Sequence, residues 1–158
     1  MNKVFLFPGQ GSQFVGMAKD LFDEFQFAKD RFEQAENILD FDLSQFSSNV
    51  KIIGNLPYNI TSPIIFKFLN CTGWSKMVFM TQKEVAQRIT SIHGKKTYGR
   101  LSVMTQALSD VKLSFTVPKT VFFPQPDVTS AILTFEPINN TIPDIHHFSQ
   151  IVKQAFSQ

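Results

Sequence analysis

Cysteine is nearly absent from this chain of 158 residues, which contains only Cys71. One cysteine cannot build a disulfide framework, and such scarcity is typical of proteins in a reducing compartment. We predict that Cys71, beside Phe68 and Leu69 on an apolar stretch, lies in the core rather than acting in catalysis. No segment reaches the ~18 consecutive apolar residues that a membrane span needs. The N-terminus also lacks the order of a secretory signal, so we expect a soluble cytoplasmic protein.

Apolar residues make up 43% of the chain, which at this length is enough for one packed core. The net charge of +2 conceals an asymmetry, because residues 1–49 carry −4 and residues 50–158 carry +6. Only Glu84 opposes a group of basic residues within residues 76–100, namely Lys76, Lys83, Arg88, Lys95, Lys96 and Arg100. A basic surface of this kind is typical of proteins that bind a phosphate backbone. The alternative is a solvated helix face.

The most informative stretch of the chain is residues 50–63. A β-branched run over residues 50–53 predicts a buried strand that stops at Gly54. Thr61 or Ser62, with Pro63 at the first helical position, predicts the start of a helix. Asn55, Pro57 and Tyr58 therefore follow the carboxyl end of a strand, where open α/β sheets bind ligands.

The side chains of this turn suit chemistry on an adenine amino group, which is a poor nucleophile because its lone pair is delocalised. The side-chain oxygen of Asn55 and the backbone carbonyl of Pro57 can accept the two amino hydrogens and localise that lone pair. Tyr58 can stack on a base that has left its helix. The alternative is an ordinary turn between a strand and a helix, where Asn, Pro and Gly are common.

The rest of the chain carries further periodic segments. They predict strands over residues 77–80, 111–117 and 128–135 and helices over residues 82–92, 101–108 and 144–156. Gly94 is placed to cap the helix over residues 82–92. Three prolines, Pro118, Pro124 and Pro126, indicate a stiff loop before the last strand.

Four blocks of this segment stand in a specific order, at residues 55–63 (NLPYNITSP), 80–85 (MTQKEV), 98–104 (YGRLSVM) and 123–130 (FPQPDVTS). From about residue 50 to its end the chain resembles the ribosomal RNA adenine dimethyltransferase family. Members of that family dimethylate adjacent adenines of small-subunit rRNA, with S-adenosylmethionine as cofactor. Residues 151–158 resemble the start of the family's C-terminal helical region, cut short.

The resemblance implies roles for particular residues. It implies Asn55, Pro57, Tyr58 and Phe123 as catalytic residues, and Asn55 as a cofactor contact as well. Phe123 would cover the target adenine, whereas the alternative is that both Phe122 and Phe123 are core residues. The resemblance and the charge pattern together imply an RNA-binding set of Lys83, Arg88, Lys95, Lys96 and Arg100. We expect small-subunit rRNA as partner, no metal and no membrane, and we leave the oligomeric state open.

The N-terminal segment has a different character. A short apolar run over residues 4–7 predicts a strand, a turn containing Gly9, Gln10 and Gly11 follows, and residues 15–39 have helical periodicity. Phe14 stands where a dinucleotide loop would have its third glycine. Residues 5–13 (FLFPGQGSQ), 15–17 and 41–43 resemble the N-terminus of malonyl-CoA:acyl carrier protein transacylases. That family needs a Gly-His-Ser-x-Gly nucleophile turn, which this chain lacks, so Gln10 has no acyl-serine to serve.

The two resemblances meet near residues 46–49, which predicts a chimera. We predict an acyltransferase-like β-α segment over residues 1–47, a methyltransferase-like α/β region over 48–137 and a truncated helical region over 138–158. The predicted fold class is α/β, a partial Rossmann-like methyltransferase sheet with only the later strands and an N-terminal β-α unit.

In the family that this chain resembles, the cofactor binds to the first three strands, and of its contacts only Asn55 has a counterpart here. We therefore expect little or no activity from this chain on its own. The alternatives are a non-catalytic RNA-binding remnant and a transacylase relic. Without a neighbouring strand, the strand over residues 50–53 would be an exposed apolar edge of the sheet. We therefore hypothesise that residues 4–7 pair beside it and that the helix over residues 15–39 covers one face of the sheet.

Overall fold

The computed structural model describes residues 3–7, 49–56, 60–139 and 142–157, with the backbone alone over 3–7. Its strands are β1 (Lys3–Phe7), β2 (Val50–Asn55), β3 (Trp74–Gln82), β4 (Ser109–Val117) and β5 (Ser130–Pro137). Its α-helices are α1 (Thr61–Leu69), α2 (Lys83–Ile89), α3 (Arg100–Leu108) and α4 (Ile145–Ala155). A 3-10 turn at Lys119–Val121 follows β4.

The five strands form one mixed sheet in the order β1-β2-β3-β5-β4. β1, β2 and β3 are parallel, whereas β5 runs antiparallel to both β3 and β4. This arrangement confirms the predicted α/β class and the partial Rossmann-like sheet. The predicted helix over residues 15–39 and the junction at residues 46–48 lie outside the described residues.

The first strand lies beside β2, as the hypothesis of a covered edge requires. Lys3 pairs with Val50 and Phe7 pairs with Gly54, in parallel register. A parallel ladder supplies the backbone hydrogen bonds that the edge of β2 would otherwise expose. The strand half of the hypothesis is therefore confirmed, and the helix half lies outside the described residues.

The core lies between one face of the sheet and helices α1 and α2. Phe79 is fully buried at its centre, with the Phe68 ring stacked at 6.3 Å between centroids and the Phe135 ring edge-on at 5.9 Å. Cys71 is half-buried against this core, and its Sγ donates to the Lys67 carbonyl at 3.3 Å. The predicted packing role of Cys71 is confirmed.

The helix predicted over residues 82–92 is shorter than expected, because α2 ends at Ile89. The side chain of Gln106 on α3 donates to the carbonyls of Ile89 and Ser91, both at 2.8 Å. These contacts hold the chain in a turn after α2. Gly94 has φ +82° within the loop that follows, so its predicted role as the helix cap is wrong.

Strand β3 is longer than the predicted residues 77–80, because it pairs with β2 on one side and β5 on the other. β5 begins at Ser130, two residues later than predicted. The carbonyl of the preceding Thr129 accepts from the backbone N–H of Lys83 at 2.9 Å, which ties it to the start of α2. α1 begins at Thr61, so Pro63 lies in the first turn, where its missing N–H is not needed.

The last helix, α4, begins at an aspartate cap. Asp144 Oδ1 accepts the backbone N–H of His147 at 2.9 Å, a bond that satisfies one free donor of the first turn. That bond holds the pKa of the Asp144 carboxyl below its ordinary value, with smaller contributions from His146 and from the charges of both histidines. Val152 is the buried residue of this helix.

We expect Asp144→Asn to reduce the loss of stability that acid causes. Because the folded-state pKa of Asp144 is depressed, its stabilising contribution is present above the unfolded value of about 3.9 and is lost as pH falls through the folded value. Asparagine keeps a capping oxygen but does not titrate. The measurement is the midpoint of urea unfolding from pH 6 to pH 3. Glu136, whose pKa is lowered by Lys76, titrates in both proteins, so an identical acid dependence in the variant would contradict the prediction.

Candidate functional site

The carboxyl ends of β1, β2 and β3 lie at one edge of the sheet, since the three strands are parallel. β4 has the same direction as β3, because both run antiparallel to β5. The loop of residues 118–129, which joins β4 to β5, therefore lies at this edge too. The edge brings together three of the four sequence blocks, at residues 55–63, 80–85 and 123–130.

Asn55 is the last residue of β2 and is half-buried. It pairs with Met80 of β3, and the N–H of the next residue, Leu56, donates to the Met80 carbonyl at 3.0 Å. Leu56 is itself fully buried, which anchors the start of the turn. The carboxamide of Asn55 makes no hydrogen bond to another described residue, and the next residues of the turn, 57–59, lie outside the described ranges.

Pro57 and Tyr58 lie outside the described residues. The described chain resumes at Ile60 and enters α1 at Thr61, whose hydroxyl accepts from the Thr81 hydroxyl at 3.4 Å near the end of β3. Both ends of this turn are thus held against β3. The roles of Pro57 and Tyr58 stay predictions.

Phe123 is 99% exposed in the loop of residues 118–129. Core packing, the alternative for this ring, is therefore wrong for Phe123, whereas Phe122 is half-buried. Val121 of the same loop is 64% exposed. The loop thus presents an unsupported aromatic ring at the same edge of the sheet as Asn55.

The predicted RNA-binding residues lie in two places, at the start of α2 and around the loop between α2 and α3. Lys83 begins α2 at the carboxyl edge, whereas Arg88 lies near its far end and Lys95, Lys96 and Arg100 lie in or just after the loop to α3. All five side chains are exposed. The ion pairs of the described residues are Lys76–Glu136 and Lys112–Asp110, so within the described ranges no carboxylate pairs with any of these five side chains.

The loop between α2 and α3 is held in one shape by side-chain hydrogen bonds. The Ser102 hydroxyl donates to the Arg88 carbonyl, and the hydroxyls of Ser91 and Thr97 are 2.7 Å apart. The Tyr98 ring lies edge-on to Phe156 of the C-terminal segment, with centroids 6.3 Å apart. A fixed loop can present its positive charges in one arrangement at little entropic cost.

No group of three or more His, Cys, Asp or Glu in the described ranges is placed to hold a metal ion. The helices seen in those ranges are all too short or too polar to cross a membrane. Gln82, Gln87 and Thr129 line a cleft beside Lys83 and are not among the residues predicted from the sequence. Gln82 lies in the sequence block at residues 80–85 and Gln87 lies just after it. This position was the feature of the sequence that could have identified both residues.

A model of the family described as ribosomal RNA adenine dimethylase matches residues 17–158. The chain belongs to the ribosomal RNA adenine dimethylase family. Ribosomal RNA small subunit methyltransferase A from Francisella tularensis subsp. novicida (strain U112) is 46% identical over 132 residues, covering 78% of this chain and 50% of that protein. The protein of the same name from Francisella tularensis subsp. tularensis (strain WY96-3418) gives the same values. The chain thus spans about half the length of the curated relatives it matches.

Two solved structures resemble the fold. A dimethyladenosine transferase from Plasmodium falciparum superposes with a TM-score of 0.67 at 28% identity, over 72% of this chain and 42% of that one. The 23S rRNA methyltransferase ErmE also gives a TM-score of 0.67, over 99% of this chain and 71% of that one, but at 21% identity it supports the fold alone. The family predicted from the four blocks is therefore confirmed.

The adenine dimethylase match begins at residue 17, so it overlaps the segment in which we see the transacylase resemblance. Of that segment the structure describes residues 3–7. The chimera, the transacylase relic and the three-part division of the chain stay predictions. Gln10 lies outside the described residues.

Enzymes of the ribosomal RNA adenine dimethylase family take their methyl group from S-adenosylmethionine. Phe7 pairs with Gly54, so β1 ends beside Asn55 and two neighbouring parallel strands end together at this edge. The carboxyl ends of neighbouring parallel strands are where nucleotide ligands bind. The predicted contact of Asn55 with the cofactor stays a prediction, and Gly9 and Gly11 lie outside the described residues.

Proposed function

We propose that this chain carries the adenine-binding part of an S-adenosylmethionine-dependent adenine-N6 dimethyltransferase that acts on small-subunit rRNA. The observation that carries the proposal is the position of the Asn55 carboxamide, which bonds to no other described residue, at the edge where the loop presents the exposed ring of Phe123. A polar acceptor and an aromatic surface at one edge are what a flipped adenine needs. Membership of the adenine dimethylase family supports this assignment.

Each residue has a distinct part in the proposed reaction. The cofactor supplies the methyl group, and methyl transfer is an in-line displacement, so the protein mainly aligns two reactants. The Asn55 carboxamide oxygen and the Pro57 carbonyl accept the amino hydrogens of adenine. Tyr58 stacks on the base, and Phe123 covers it.

We expect the activity of the isolated chain to be low. In this family the cofactor lies on the first three strands, whereas in the described part of this chain β1 is the neighbour of β2 on that side. The missing contacts lower the affinity for the cofactor more than the affinity for RNA.

The test combines ligand binding with methyl transfer. Calorimetric unfolding with and without saturating S-adenosylmethionine should give a cooperative transition that rises with ligand, because binding to the native state stabilises it by mass action. Radioactive methyl transfer to small subunits that lack the modification then reports the reaction. A cooperative transition indifferent to the ligand, together with no methyl transfer, would contradict the proposed enzyme.

A non-catalytic RNA-binding protein is the second candidate. The five exposed basic side chains, which pair with no acidic residue in the described part of the chain, favour it, because they could hold a phosphate backbone whether or not a cofactor binds. Lysines at two positions of the fixed loop would contact phosphate without reading the sequence.

We expect the double variant Lys95→Ala with Lys96→Ala to lose part of the salt dependence of RNA binding. Each lost phosphate contact lowers the slope of log affinity against log salt by about 0.7 to 0.9. The measurement is fluorescence anisotropy of labelled small-subunit rRNA fragments at several salt concentrations. Lys153→Ala, an exposed lysine on α4, is the control and should retain the wild-type slope. An unchanged slope in the double variant would remove these two lysines from the interface.

A further inference from the structure

A cleft of about 470 Å³ lies at the carboxyl edge, between the start of α2 and the residues that lead into β5. Its lining is mainly polar: Gln82, Lys83, Glu84, Gln87, Val128 and Thr129. Gln87 lies one helical turn after Lys83, so the two side chains share a face of α2. The cleft has no role in the reaction proposed above.

The backbone fixes the position of this cleft relative to the adenine site. Gln82 pairs with Ser130, and the Lys83 N–H donates to the Thr129 carbonyl at 2.9 Å, which joins the two walls. Gln82 follows Met80, the partner of Asn55, by two residues along β3. Strand geometry then separates the Cα atoms of Asn55 and Gln82 by about 8 Å. A neighbouring nucleotide of the same strand can span this distance.

The lining suits a base better than a phosphate. The carboxamides of Gln82 and Gln87 make no hydrogen bond within the described ranges, so their oxygens can accept and their amino groups can donate. Glu84 adds a carboxylate, which accepts only and offsets the positive charge of Lys83 in the same lining, so the two side chains together give the cleft no net charge to attract a phosphate. Val128, 37% exposed, supplies an apolar wall for the face of a ring.

We propose that this cleft holds the base of a nucleotide next to the target adenine and selects a base with an exocyclic amino group. Amide side chains pair with the N6 and N7 atoms of adenine, and a carboxylate accepts from such an amino group. Flipping of the target base unstacks its neighbours and leaves their edges free to be read. This inference rests on the proposed function, since it assumes that RNA enters at the edge that carries Asn55.

The test uses two fluorescein-labelled RNAs, r(UUAAAUU) and the same strand with purine riboside, which lacks the amino group, at both positions flanking the central adenosine. We expect wild-type protein to bind the first RNA roughly 5- to 150-fold more tightly, the range for one well-made amide pair. Gln87→Leu should bind both RNAs with the affinity that wild type shows for purine riboside. Gln150→Leu, an exposed glutamine on α4, should discriminate as wild type does.

Gln87 is exposed, and thermal unfolding of each variant confirms that the fold is retained. Gln82→Leu is a second variant on the other wall and should reduce the discrimination as well. Equal binding of both RNAs by wild type, or an equal loss on both RNAs in Gln87→Leu, would overturn the inference. In that case salt-dependent binding and methyl transfer by wild type would still support the proposed function, whereas a protein that binds neither RNA would contradict both.

Discussion

Phe79→Ala is expected to lower the free energy of unfolding by about 3 to 5 kcal/mol, the usual cost of removing a buried phenylalanine ring. Phe79 has no exposed surface and touches the rings of Phe68 and Phe135, so the truncation leaves a cavity between α1 and the sheet. The elements α1, β3 and β5 cannot all move inward to fill this cavity, because β3 is paired with a strand on each side. The measurement is urea unfolding followed by circular dichroism.

Phe123→Ala is the matched control for this prediction. It removes the same ring from a side chain that is 99% exposed, so its free energy of unfolding should stay within about 0.5 kcal/mol of wild type. Similar losses in the two variants would show that Phe123 is packed. A loss below about 1 kcal/mol in Phe79→Ala would show that the described core does not hold the domain together.

Asn55→Ala is expected to reduce methyl transfer at least about 100-fold, the scale on which one preorganised polar partner of a reacting group acts. The carboxamide oxygen would accept an amino hydrogen of adenine as the nitrogen becomes a nucleophile, so its loss should affect the rate more than RNA affinity. The measurement is single-turnover methyl transfer at saturating S-adenosylmethionine and rRNA. RNA affinity measured beside it should change less than about threefold.

Asn139→Ala removes an exposed carboxamide at the opposite edge, after the end of β5, and should leave the rate unchanged. A rate for Asn55→Ala within threefold of wild type would exclude the proposed role of Asn55. If wild type itself transfers no methyl group and Asn55→Ala retains salt-sensitive RNA binding, the RNA-binding remnant is the correct description.

Local sequence was sufficient for most elements of the fold. The apolar run of β2, the proline near the start of α1 and the spacing of α3 each identified the element, because each pattern belongs to one kind of secondary structure. Element ends were predicted less well. The end of α2 depends on Gln106, a residue 17 positions away, and no local pattern contains that information.

Part of the candidate site could also be predicted from local sequence. The strand that ends at Asn55 placed that side chain at a carboxyl edge, and the structure agrees. Whether the Phe123 ring is buried or exposed could not be predicted from its neighbours in sequence, since a phenylalanine between an apolar residue and a proline can be either. Only the tertiary structure showed the ring to be exposed.

Residue types at short spacing were enough to predict the family, the order of the later strands and helices, and the chemistry available at the turn after β2. Which of those residues lie close together follows from the folded chain alone. Folding paired β1 with β2, brought the loop of residues 118–129 to the edge that carries Asn55, and formed the cleft between Lys83 and Thr129. These contacts arise from the pairing of strands that are distant in the chain, and such pairing depends on the packing of the whole sheet rather than on any single segment.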